Sequence, residues 1–501
     1  MPRPGAGAKS IKTRGRMRDE RIVIRSVDRA SPAATSPTVL TLLKRSVIRA
    51  GLYARGTIGE AARAVADACG ADPQAGRLST SEAKKVVYDP AEPAPTFADL
   101  PLYRGILKHK EIGRLFDIDD PFYRCHQARN GVTTQIAGKN YVNFASYDYL
   151  GLNQHPAVVE AAKNAIDSLG TSVSASRIVA GERTIHGVLE RALADFYGVE
   201  AAIAFVSGHA TNVSTISTLM TADDLILYDD LSHNSLIVGV RLSGATAYAF
   251  KHNDAEALEA LLQKHRPFHK RTLIVAEGLY SMDGDIGDLP SLVALKEKYG
   301  AWLMIDEAHG LGVLGETGRG SAEHYGIDPK RVDIWMGTLS KALASCGGYI
   351  AGKQELIDIL KYQAPGLVYS VGLSPPLTAA ATKSLELLKA EPERVARLQA
   401  NGKLFLSLAR AAGMDTATSE GHAVVSVIVG DLVNAGRLAD RMLARGINVL
   451  PIIYPAVPIK AARLRFFITS EHTPTQIREA VRTMREEMDG LGKRPRQKQA
   501  A

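Results

Sequence analysis

Between residues 200 and 340 the chain alternates short apolar runs with segments of helical period, and this alternation restricts the fold more than any other feature. Residues 201–206, 224–227, 272–276, 301–305 and 332–336 read as buried strands, and residues 211–220, 254–265 and 289–299 as helices. Strands that alternate with helices and are apolar on both faces argue for an α/β fold with a mostly parallel central sheet. In such sheets ligands collect beyond the carboxyl ends of the strands. Asp306, His309 and Lys341 each follow the end of an apolar run, so the pattern gathers three chemically capable residues on one sheet edge.

The flanking sequence is of a different kind. Residues 1–38 are rich in Arg, Pro, Gly and Ser and read as a disordered basic tail. Helical periodicity follows over residues 39–53 and again over 58–69, then a linker carrying Pro73, Pro90, Pro93 and Pro95. The expected organisation is a helical appendage and linker over 39–100, an N-terminal segment of the main fold over 101–150 and a large domain over 151–385. A smaller C-terminal α+β domain over 386–491 and a basic tail over 492–501 complete it. The formal charge of +8 sits in the ends: residues 1–30 hold nine Lys/Arg against three Asp/Glu, and residues 491–501 add four more Lys/Arg. The remainder is slightly acidic, so no nucleic-acid partner is expected of the folded part.

Three cysteines, Cys69, Cys125 and Cys346, cannot build a disulfide framework and point to the reducing cytoplasm. The sequence holds no apolar stretch long enough to cross a membrane, which leaves only peripheral contact with one. Asp19, Glu20 and Asp28 argue against a mitochondrial transit peptide.

The chemistry is clearest at Asp306-Glu-Ala-His309 and Gly337-Thr-Leu-Ser-Lys341. A carboxylate at one strand end and a lysine after the next is what pyridoxal phosphate requires: the lysine binds the aldehyde, and the carboxylate keeps the ring nitrogen protonated. Thr338 and Ser340 can bond the phosphate, and His309 the ring's phenolic oxygen. The bland reading of Asp306–His309 is a structural ion pair. Around this pair lie weaker signals. Phe205-Val-Ser-Gly208-His209 passes from strand to helix, where a glycine and free amides suit a phosphate, although most such turns are mere connections. His233 can stack on an aromatic ring or can simply sit in a capping loop. Ser281 offers a hydroxyl within an Asp/Gly-rich turn. Arg465, beside the apolar Phe466-Phe-Ile, is suited to a carboxylate and equally to the surface. None of these groupings is a metal-ligand set.

Taken together, residues 100–490 resemble the α-oxoamine synthases, a family of fold-type-I pyridoxal phosphate transferases, and in look they come nearest to its serine palmitoyltransferase branch. The resemblance implies homodimers with shared active sites. It makes Lys341 the Schiff-base lysine, Asp306 the partner of the ring nitrogen, His309 of the ring oxygen and His233 the stacking group. It assigns Gly208, His209, Thr338 and Ser340 to the phosphate, Ser281 to the vicinity of the ring and Arg465 to the amino-acid carboxylate. Ser370, in Tyr369-Ser-Val-Gly-Leu-Ser-Pro-Pro376, would reach the partner's phosphate, although this segment is one residue longer than usual. Tyr147, in Phe144-Ala-Ser-Tyr-Asp-Tyr-Leu-Gly151, matches serine palmitoyltransferase where several relatives have asparagine. His209 and Ser172-Val-Ser-Ala-Ser-Arg177 depart from that enzyme's pattern.

The implied activity is an acyltransferase reaction. A small amino acid (serine first, glycine or alanine next) condenses with an acyl-coenzyme A or acyl-carrier-protein thioester and loses carbon dioxide. The product is an α-aminoketone such as 3-ketosphinganine, a sphingolipid precursor. Two other readings stay open: a different pyridoxal phosphate aminotransferase or aldolase, and a transcription regulator built on an aminotransferase-like domain.

Overall fold

The computed structural model describes residues 95–491. The expected basic tails and the appendage as far as residue 94 lie outside the described residues. The first strands, β1 (Thr133–Ile136) and β2 (Lys139–Asn143), form an antiparallel hairpin closed by Ala137 and Gly138. Both turn residues have positive φ, 48° and 75°, as a two-residue turn between right-twisted strands demands.

The main sheet has seven strands: β3 (Ala201–Phe205), β4 (Leu225–Asp229), β5 (Thr246–Phe250), β6 (Thr272–Glu277), β7 (Trp302–Asp306), β8 (Ile334–Thr338) and β9 (Gly348–Gly352), in the order β3-β9-β8-β7-β6-β4-β5. Neighbours among β4 to β8 run parallel, while β9 is antiparallel to both β3 and β8. Each of the five runs expected as strands forms one, within two residues at either end. The helices Gly208–Leu219, Ala255–His265 and Leu289–Tyr299 correspond to the expected three. The edge strand β5 and the glycine-bounded β9 complete the sheet.

The continuous apolar runs are explained by burial on both faces. All six residues of β6 are buried. Leu273 and Val275 join one hydrophobic cluster, Ile274 and Ala276 the other. Each large aliphatic side chain sealed in this way stabilises the sheet by about 1.5–3 kcal/mol, so a one-residue slip of register would be costly.

The smaller α+β region contains β10 (Val424–Gly430), β11 (Ile447–Asn448), β12 (Leu450–Ile452) and β13 (Ala462–Phe467). β10, β13 and β12 form one antiparallel sheet. β11 instead pairs in parallel with β2, setting Asn448 opposite Asn143, and the Asn448 side-chain amide donates to Asn143 Oδ1 at 2.9 Å. The segment 101–150 thus lends the smaller region two strands. Among the described residues no helix is long and apolar enough to cross a membrane.

Candidate active site

The parallel strands deliver Asp229, Glu277, Asp306 and Thr338 to one edge of the sheet. A cleft of about 260 Å³ opens there, bounded by Ser207–His209, His233, Glu277, Asp306, His309, Thr338, Ser340 and Lys341 among others. Of the residues singled out in the sequence, Gly208, His209, His233, Asp306, His309, Thr338, Ser340 and Lys341 all line it.

Asp306 closes β7 and is only 4% exposed. Its Oδ2 accepts from the Asn212 side-chain amide at 2.8 Å and its Oδ1 from the Ala308 N–H at 2.8 Å. Two neutral donors offset part of the cost of burying a carboxylate, and the rest calls for a cation. Beside it in register lies Glu277, whose carboxyl is pushed far up by burial and by the Asp306 charge. Lys341 faces this pair. Burial lowers its ammonium to about 8, although Asp306 and Glu277 pull the other way. A lysine with that midpoint supplies a neutral amine near physiological pH.

Both site histidines are kept neutral by burial. His309 Nδ1 lies 2.7 Å from the Tyr149 hydroxyl, which fixes its ring. His233 caps the helix Asn234–Ser243: its backbone N–H donates to Glu277 Oε1 at 2.6 Å, and its Nδ1 accepts from the Ser235 N–H at 3.3 Å.

Arg465, on β13, reaches over from the smaller region. Its Nη1 donates to the Ser281 carbonyl at 3.0 Å, and its guanidinium lies 4.6 Å from the Phe467 ring centre. Its Nε is buried without a hydrogen-bond partner among the described residues. Such an orphaned donor suits an incoming carboxylate. The loop that anchors Arg465 is itself gripped from the smaller region: Arg463 pairs with Asp283, and Ser426 Oγ donates to the Met282 carbonyl at 2.5 Å. Tyr147 is 42% exposed, with its ring 4.7 Å from Phe467 and 5.8 Å from Lys341 Nζ.

Ser281 and Ser370 stand outside the cleft lining, and His209, Thr338 and Ser340 line it with partners of their own. The Ser281 residue is buried and meets Arg465 through its carbonyl rather than lining the cleft. His209 is exposed, with Nε2 3.4 Å from Asn234 Oδ1. Ser370 does not line the cleft; it adjoins Val371, which bridges to Ser176. The Thr338 and Ser340 hydroxyls both donate to the Gly347 carbonyl, at 2.9 and 3.3 Å. Sequence reasoning passed over Asn212, Ser235, Glu277 and Tyr149. Glu277 carried the same signal as Asp306, an acid closing an apolar run. The others are polar residues whose partners lie on distant segments.

The residues fit pyridoxal phosphate. Lys341 supplies the amine, Asp306 an anchored carboxylate and His309 a neutral imidazole. At the phosphate end, the helix Gly208–Leu219 presents its N-terminus, and its Ala210 amide is already satisfied by Ser207 Oγ. The amides before it remain for an anion. A Cβ at Gly208 would come within 3.0 Å of Thr338 Oγ1, so glycine keeps that approach open.

Comparison with known proteins agrees. The family model for aminotransferases of class I and II matches residues 139–484. The 8-amino-7-oxononanoate synthase 1 of Bacillus velezensis is 39% identical over 359 residues, 72% of this chain and 91% of that protein. The 8-amino-7-oxononanoate synthase of Fervidobacterium nodosum is 42% identical over 353 residues, covering 70% and 89%. Among solved structures, a Sphingomonas wittichii serine palmitoyltransferase superposes with a TM-score of 0.76 at 30% identity, covering 80% of this chain and all of that one. A high-resolution serine palmitoyltransferase structure holding pyridoxal phosphate gives 0.76 and 30%, covering 79% and 100%. A fold shared along the whole length of these enzymes, and sequence identity near 40% across the site-bearing region, lead to one conclusion: the chain belongs to the aminotransferase class I and II family, among its α-oxoamine synthases.

Proposed function

We propose that this protein joins a small amino acid to an acyl thioester, with loss of thiol and carbon dioxide, to give an α-aminoketone. The observation that carries the reading is the placement of Lys341. Its desolvated amine faces Asp306 and Glu277, in a cleft that also holds two neutral histidines, and Arg465, whose Nε has no partner among the described residues, lies close by. Lys341, Asp306, His309 and the N-terminus of helix Gly208–Leu219 would hold pyridoxal phosphate. That group supplies an electron sink which makes the amino acid's α-carbon acidic.

The protein's own groups do the rest. Arg465 receives the amino-acid carboxylate through its free Nε edge. The neutral Lys341 amine takes the α-proton. The α-carbon then bonds to the thioester carbonyl carbon, and the thiol leaves with the carbon–sulfur electron pair. The carboxyl group departs as carbon dioxide, and Lys341 returns a proton to the α-carbon. Tyr147 and Phe467 wall the carboxylate end.

Serine is the first choice of amino acid, supported by Tyr147 and by the likeness to solved serine palmitoyltransferases. The curated 8-amino-7-oxononanoate synthases favour alanine as the second reading. On either reading a coenzyme A or carrier-protein thioester is the donor, and the working unit is a homodimer in which Ser370 meets the partner's phosphate.

The test is to record absorbance spectra of the cofactor-loaded protein with serine, glycine and alanine separately, then to add palmitoyl-coenzyme A and measure thiol release. A serine-selective spectral shift with thiol release is expected. A shift only with alanine moves the assignment to the second reading. No cofactor absorbance after addition of pyridoxal phosphate rejects the enzyme reading.

A further inference from the structure

We infer that Asn212 and Ser235 are positioning residues that fix His233 in a single tautomer, with its proton on Nε2, and link that choice to the Asp306 carboxylate. The inference deepens the proposed reading of the cleft and rests on it for its catalytic meaning.

The argument follows one chain of hydrogen bonds. A carboxylate can only accept, so the Asn212 group 2.8 Å from Asp306 Oδ2 must be the –NH₂. The same nitrogen lies 2.9 Å from Ser235 Oγ and gives its second proton there. While accepting from Asn212, the Ser235 hydroxyl keeps its own proton free to give to His233 Nδ1, 2.7 Å away. The Ser235 backbone N–H points to the same Nδ1 at 3.3 Å. Two donors on one ring nitrogen require it to carry no proton, so the neutral ring keeps its N–H on Nε2. Asn212 and Ser235 are each only 1% exposed, so water does not compete.

The arrangement also accounts for an otherwise costly feature. Asn212 Oδ1 is buried with no partner among the described residues. Flipping the amide would place oxygen against the Asp306 carboxylate and turn the Ser235 hydroxyl away from His233 to donate to it. The lone orphaned acceptor is the cheaper alternative. In the cleft the consequence is a fixed donor: Nε2–H can hold a carboxylate or carbonyl oxygen of the reactants, and His233 cannot serve as a base through Nε2. The charged or titratable groups facing His233 are Asp306 at the end of β7, His309 just after it, Glu277 at the end of β6, Lys341 after β8, His209 at the start of helix Gly208–Leu219 and Arg465 on β13.

The tautomer can be read directly. The full-length chain, labelled with ¹⁵N-histidine, is examined by long-range ¹H–¹⁵N correlation with and without added pyridoxal phosphate. The His233 signal is assigned by its loss in His233→Gln. The wild-type protein is expected to show the Nε2–H pattern. Ser235→Ala should mix the tautomers and raise the ring's titration midpoint, because a hydroxyl that donates to Nδ1 favours the neutral form. Ser235→Thr should restore the wild-type pattern. An Nδ1–H pattern in the wild type, or an unchanged spectrum in a folded Ser235→Ala, overturns the inference. If Ser235→Ala does not fold, the wild-type and Ser235→Thr spectra still decide. The signal does not depend on turnover, so a failed thiol-release assay would strike the proposed function and leave this result standing.

Discussion

Two clusters of buried charge lie at the carboxyl ends of nearby strands, and they have opposite characters. At the end of β4, His252 donates from Nδ1 to Asp229 at 2.9 Å and from Nε2 to Asp285 at 2.6 Å. Both ring nitrogens are used, and the two carboxylates hold the imidazolium up to about 10. Asp229, Asp230 and His252 approach closely enough to suggest a metal site, but an imidazolium committed at both nitrogens has no lone pair to offer. At the ends of β6, β7 and β8 the same residue types are left incomplete. Lys341 is held down to about 8, Glu277 is pushed far up, and Arg465 Nε has no partner among the described residues. The contrast teaches that strand-end carboxylates and histidines are no mark of chemistry in themselves. The difference lies in the basic group: the His252 imidazolium is committed to carboxylates at both nitrogens, whereas Lys341 is desolvated until its ammonium is held down to about 8.

Lys341→Ala breaks the open cluster most severely. Product formation should fall by more than about 10²–10⁴-fold, measured as thiol release, while circular dichroism stays that of the wild type. Arg465→Lys should raise the KM for the amino acid by about 10- to 100-fold, the worth of a charge-assisted hydrogen bond, with kcat less affected. In the closed cluster the expected effect is on stability. His252→Gln should lower the unfolding free energy by about 1–3 kcal/mol in denaturant titrations and leave kcat of the folded protein nearly unchanged. A loss of activity equal to that of Lys341→Ala would erase the distinction between the clusters.

The smallest effects are in pH dependence. The folded-state midpoint of His252 is raised, so its stabilising contribution is fully present below about 6.5, the ordinary histidine midpoint. It declines as pH rises through about 10. Stability measured across that window should slope downward in the wild type and less steeply in His252→Gln. Lys341 has the opposite displacement. Capture of pyridoxal phosphate by the apoprotein needs the neutral amine, so its rate should rise with pH through a midpoint near 8.

The sheet and the centre of the site were legible in sequence for the same reason. A strand buried on both faces needs an unbroken apolar run, and a polar residue that closes such a run is easily seen. Lys341, Asp306 and His309 stand out in this way. β9 did not, because Gly348 and Gly352 at its ends carry no side chains to signal a strand; each lies where a Cβ would come within 2.7 Å of a neighbour. β5 is an edge strand with half-exposed residues and has no clear period. Asn212 and Ser235 were invisible for another reason. They sit on helices, where Asn and Ser normally signal exposure, and their burial is created by packing between segments distant in the chain. Glu307 is the extreme case. It follows Asp306 directly and is fully buried, with Gly278, Gly310 and Gly320 all placed where a Cβ would strike its carboxyl. Only tertiary structure reveals why three glycines surround one acid.

The pairing of β2 with β11 carries a consequence for biosynthesis. Asn143 and Asn448, bonded side chain to side chain, are 305 residues apart. A two-stranded hairpin is marginal in water without a third strand or a packing surface. As the chain leaves the ribosome, β1 and β2 must therefore wait for residues some 305 positions further along to supply their third strand. Arg465 emerges later still. The large sheet can assemble while synthesis continues, but Arg465 joins the cleft only after β11 has been made, so a nascent chain stalled before residue 447 would display the lysine and its acids with neither the third strand nor Arg465 in place.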